Sequence, residues 1–159
     1  MPPKIASVYA DVVEDYLQAK GLMECELSDA IRWELRKQSN RLQISPQSQI
    51  AYHMSKARKS LRREKFTTPS GKVCRLWMHR TVQAPNSSGQ IVQRDLWANI
   101  HDYINHPNGD VALTEGYRQR LAGVEVDVDQ IKEDIAGTNE LRTALGYSLV
   151  QIRFNFWVK

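Results

Sequence analysis

Six cations, Lys56, Arg58, Lys59, Arg62, Arg63 and Lys65, fall within one stretch of ten residues, and Gln47, Gln49 and Tyr52 lie just ahead of them. Fixed positive charge at this density attracts phosphates, and a glutamine amide offers a donor and an acceptor side by side. The chemistry is that of recognition, with no bond made or broken. Nothing else in the chain reads as a reaction centre. There is no glycine-rich phosphate loop, no HExxH, no GxSxG and no nucleophile–base pair. His101 and His106 are five residues apart with no cysteine nearby, which is a poor metal pair. Asp127 and Asp129 would face different directions on a helix. With Glu133 and Asp134 they are expected to be solvated. Cys25 and Cys74 form no CxxC motif and are expected to be reduced, buried thiols. The chain is therefore read as a non-enzyme with no metal and no cofactor.

The cations sit in an uneven charge distribution. Residues 1–26 carry 2 basic and 5 acidic side chains, residues 27–83 carry 13 and 3, and residues 84–159 carry 7 and 10. A basic block between two acidic ones is the footprint of a polyanion-binding surface. A composition of 42% hydrophobic and 25% charged residues over 159 positions is globular. No apolar run approaches membrane-spanning length, and Met-Pro-Pro-Lys followed by Asp11, Glu14 and Asp15 is no secretory leader. A cytoplasmic protein is expected.

The elements that position the cations follow from periodicity. Ile5, Val8, Tyr9, Val12, Tyr16 and Leu17 share one helical face, which Gly21 terminates. Ser28 is read as the cap of a second helix bearing Ile31 and Leu35 and ending near Ser39-Asn40. Ser45-Pro46 opens a third helix. Its narrow stripe of Ile50, Met54, Ala57 and Leu61 leaves Gln47, Gln49, Tyr52, Lys56, Lys59 and Arg63 largely outside, flanked by Arg58 and Arg62. A hairpin over residues 66–78 follows, turning at Pro69-Ser70-Gly71 with Lys72 near its tip. Trp33 and Trp77 read as core residues. Residues 84–91 read as a linker and 92–104 as a short helix. Tyr117, Leu121, Val124, Val128, Ile131 and Ile135 form a heptad-like seam, although Val124–Asp129 also alternates like a strand. Gly137-Thr138-Asn139 is expected to break that helix. Val150, Ile152, Phe154, Phe156 and Val158 predict a terminal strand.

Leu27-Ser28-x-x-Ile31-x-x-x-Leu35, then Ser45-Pro46 with Ile50, Met54, Ala57 and Leu61, then the turn at Pro69-Ser70-Gly71, resemble winged helix-turn-helix DNA-binding domains over residues 4–83. The Ser39–Ile44 link is longer than the usual turn of such motifs. The resemblance implies a mainly α protein with small β elements (α+β). Residues 1–83 would be the DNA-binding domain and 92–159 a helical, dimerising region. It also implies a double-stranded DNA-binding regulator of phage or plasmid type, acting as a homodimer. The third helix would enter the major groove, with Gln47 and Gln49 suited to adenine and Lys56 or Arg58 to guanine or phosphate. Arg62, Arg63 and Lys65 would hold phosphates, and Lys72 would extend the contact from the wing. The competing reading is an adaptor or inhibitor whose basic face docks on an acidic protein. RNA binding ranks behind both. Gln151–Phe156 faintly resembles uncharacterised mobile-element proteins, which implies no function.

Overall fold

A computed structural model describes residues 5–37, 41–42, 49–123 and 127–152. The chain divides into two units, residues 1–65 with 75–100, and residues 66–74 with 101–159. Among the described residues the fold is α+β and mainly helical.

The first unit begins with α1 (Ile5–Lys20), whose apolar stripe buries Tyr9, Val12, Val13 and Leu17. α2 (Leu27–Arg36) and α3 (Gln49–Arg63) both pack on α1 and on each other, contributing Leu27, Ala30, Ile31, Ala57 and Leu61 to one core. α2 starts at Leu27 with Glu26 at its cap position, two residues earlier than Ser28 predicts. Leu27 is buried, and anchoring it sets the start. The expected end at Ser39-Asn40 and the Ser45-Pro46 start lie outside the described residues.

After α3 the sequence reading and the structure part. The hairpin read over 66–78 is two separate pieces. β1 (Lys65–Thr67) pairs with β2 (Val73–Arg75) around the Pro69-Ser70-Gly71 turn, and β3 (Trp77–Pro85) belongs to another sheet. The stretch read as a linker is a turn, and most of the helix read over 92–104 is β4 (Ile91–Asn99), antiparallel to β3 from Trp77↔Asn99 out to Pro85↔Ile91. Only α4 (Ile100–Ile104) is helical there. Val92, Leu96 and Ile100 satisfy a four-residue spacing, but Val92, Arg94, Leu96 and Ala98 also share one face of a strand. Pairing with β3 decides between them. Asn86 closes the turn by accepting from the Ser88 and Gln90 amides, both at 3.0 Å. Cys25, between α1 and α2, exchanges two backbone hydrogen bonds with Trp97, of 3.0 and 2.8 Å, and so ties that segment to β4.

The second unit holds the β1–β2 turn, α5 (Gly109–Leu121) and α6 (Val128–Leu145). The heptad-like seam is therefore two helices. Its residues Tyr117, Leu121, Ile131 and Ile135 are buried within the chain itself, so they offer no surface to a second copy. Asp127 caps α6 by accepting from the Gln130 amide at 3.1 Å. α6 runs through Gly137-Thr138-Asn139 without a break, because Gly137 is where Cys74 and Thr68 pack against the helix. Asp134, expected to be solvated, is fully buried and paired with Arg120 at 2.6 Å. Val150 is bonded at both its amide and its carbonyl by the Asn139 side chain, at 2.8 and 2.9 Å. Val150–Ile152 form no strand, and the remainder of the expected terminal strand lies outside the described residues.

Candidate nucleic-acid interface

α3 is two-sided by sequence. His53, Ala57, Ser60 and Leu61 are buried, while Ile50 and Met54 pack partly on the core. At a hundred degrees per residue, the opposite side carries two adjacent rows. One is Ala51, Ser55, Arg58 and Arg62, and the other is Tyr52, Lys56, Lys59 and Arg63. Tyr52, Lys56, Lys59, Arg62 and Arg63 are exposed and Arg58 is half-buried. No acidic residue interrupts Gln49–Arg63. Arg62 and Arg63 occupy the last turn, where the helix dipole favours positive charge. From the buried side, the Tyr9 hydroxyl and His53 Nδ1, 2.7 Å apart, fix the helix to α1.

Ion pairing leaves the cations of this face, like the scattered Lys20, Arg32, Arg36 and Arg118, without a carboxylate partner among the described residues. Arg41 is held by Asp15 and Glu34, Arg80 by Glu24, Arg94 by Glu26, Lys72 by Glu140, Arg120 by Asp134 and Arg142 by Asp110. Lys56, Arg58, Lys59, Arg62, Arg63 and Lys65 make no ion pair among the described residues. Lys56 instead stands 4.7 Å over the Tyr52 ring, a cation–π contact that leaves its charge at the surface.

The sequence reading missed the hairpin as a companion to α3. Its first residues are fastened to the end of that helix. Trp77 Nε1 donates to Glu64 at 2.9 Å, and the Leu76 amide donates to the Glu64 carbonyl at 3.1 Å. One ladder face begins in the core with Trp77 and Trp97, continues through His79, and emerges at Thr81, Gln83, Gln93 and Asp95. The other face carries Arg80 and Arg94, both neutralised. Burial pulls the His79 imidazole below its ordinary value; Asp95 opposes this, and the charges of Arg62 and Arg58 add to the lowering. The hairpin face thus lies within electrostatic reach of the α3 cations.

Comparison with known families, characterised proteins and solved structures found no match.

Of the residues singled out from the sequence, α3 gathers Gln49, Tyr52, Lys56, Arg58, Lys59, Arg62 and Arg63, and Lys65 follows directly at the start of β1. Gln47 lies outside the described residues. Lys72 belongs to the second unit, where its ammonium meets Glu140 at 3.3 Å and Ser70 Oγ at 2.8 Å. It is a bracing residue of the β1–β2 turn. Thr81, Gln83, Gln93 and Asp95 were not anticipated, although the alternation around Thr81-Val82-Gln83 and the Asn86-Ser87-Ser88-Gly89 turn were both visible. Among the described residues no cluster could hold a metal ion, and no helix is long and apolar enough to cross a membrane.

Proposed function

We propose that this chain binds double-stranded DNA, with the outer face of α3 in the major groove and the β3–β4 hairpin alongside it as the wing. The observation that carries this reading is the sorting of charge. Elsewhere in the first unit Arg41, Arg80 and Arg94 have carboxylate partners and the unpaired Lys20, Arg32 and Arg36 are scattered, while α3 gathers five unpaired cations on one helix for an external anion. The order of three helices followed by a hairpin supports a winged-helix reading. The wing is then residues 77–99 and not 66–78. In this arrangement Lys56, Lys59 and Arg63 hold phosphates, while Gln49, Tyr52 and Arg58 are placed toward base edges. A regulatory role in transcription is the activity we assign to such binding.

The test is fluorescence anisotropy with duplex DNA across about 50 to 200 mM salt. A surface neutralising around five phosphates loses about two to three orders of magnitude in affinity over that range. Lys56→Ala/Lys59→Ala/Arg63→Ala should bind more weakly and flatten the slope by about three contacts, with an unchanged melting transition. Equal affinity and slope in the folded variant would overturn the assignment of α3. No binding by the wild-type chain would favour docking on an acidic protein.

A further inference from the structure

One carboxylate stands in the face that is otherwise built to attract anions. Asp95 lies on the ladder face shared by Trp77, His79 and Trp97, at the point where that face leaves the core, and its side chain is 49% exposed. It is held in place. Thr81 Oγ1 donates to Asp95 Oδ1 at 2.9 Å, and His79 Nε2 lies 3.4 Å from the same oxygen. His79 is in turn stacked on Trp97, with ring centroids 4.8 Å apart at 24°. The groups facing His79 are Asp95 and Trp97 from β4, and Arg58 and Arg62 from α3. Its chain neighbour Arg80 lies on the opposite ladder face, bound to Glu24. Burial favours the neutral imidazole, so among the described residues no cation is in direct contact with the Asp95 carboxylate.

A fixed negative charge beside a phosphate-binding surface repels the backbone wherever it approaches. Thr81 and His79 both meet Oδ1, and the second carboxylate oxygen, Oδ2, can accept from an exocyclic base amino group. We propose that Asp95 is a specificity-determining residue of the duplex-binding face, discriminating against phosphate-only contact and in favour of base edges that present an amino group. The assignment rests on the duplex-binding reading above. Asp95 opposes non-specific affinity, and the α3 cations supply it.

The experiment compares the wild-type chain with Asp95→Asn, an isosteric change that keeps the Thr81 hydrogen bond. Each is titrated into a random-sequence duplex pool at pH 7.5 and then used to select bound sequences from that pool. Removing one unit of like charge within a screening length of the phosphates should tighten pool binding about fivefold. The bases enriched by the wild-type chain should no longer be enriched. Unchanged or weaker pool binding, or the same enriched sequence from both proteins, would overturn the role of Asp95 while leaving duplex binding intact. Absence of binding by both proteins overturns the duplex reading itself, and this assignment with it.

Discussion

Several side chains here have an ionisation set by where the backbone puts them. His79 and His101 are both pulled down chiefly by burial, so the folded protein resists protonating them. The unfolded chain takes up those protons near the ordinary histidine value of about 6.5. Their contribution to stability is therefore complete above that value and is lost as pH falls through the lower folded values. Calorimetry from pH 7 to pH 5.5 should show a falling Tm, and a His79→Gln/His101→Gln variant should lose part of the dependence. A flat Tm in the wild-type chain would contradict it. Burial likewise pushes the Cys25 thiol up to about 12 and Cys74 to about 11. At pH 8 neither holds appreciable thiolate, so a disulfide reagent should label no cysteine in the folded chain and both after denaturation. Glu140 is shifted the other way, to about 2, by hydrogen bonds from Ser70, Thr68 and Lys72. The burial of the two cysteines was readable from their isolation in the sequence. The burial of Asp134 was not, because its partner Arg120 comes from another helix.

At the scale of elements, local pattern was informative wherever one face met one core. α1 and the described part of α3 follow their apolar periodicity closely. The hairpin was illegible because β4 satisfies a helical spacing as well as an alternating one. What selects the strand is a nine-residue partner across a short turn and the Cys25 bridge, which is distant in sequence. The seam from Tyr117 to Ile135 failed for a related reason. Spacings of three and four continue across the break between two helices as readily as along one helix. Gly137 shows the same priority of packing over propensity. In isolation, alanine would favour α6 by up to about 1 kcal/mol. In place, a Cβ would collide with the Cys74 sulfur and press on the Thr68 methyl. Gly137→Ala should therefore destabilise the protein by about 1–3 kcal/mol in urea unfolding. Cys74→Ala in that background should recover part of the loss, and a stabilised single variant would count against the close approach.

Over the whole chain, charge divides by unit. The first holds 15 Lys and Arg against 9 Asp and Glu, and the second 7 against 9. The basic block was legible as a sum over the sequence, but which cations remain available was not, since most ion pairs join residues far apart. In the second unit Arg142 is turned inward. Arg142 is fully buried and donates to the carbonyls of Tyr103, Ile104, His106, Pro107 and Ser148. Buried in this way, it fixes backbone and adds nothing to the attraction of a polyanion.

From Thr81 to Gln93 the hairpin contains no charged side chain. Its outer three residue pairs project about 10 Å at the rise of a β-strand, which is the length of about three base-pair steps. Such an arm lengthens a footprint without adding to the counterions displaced. Replacing Ala84–Val92 by Asn-Gly should shorten the nuclease-protected region on one side by about three base pairs and leave the salt slope where it was. The protein would then measure the extent of its site with one element and set its ionic sensitivity with another, so that the two could change independently.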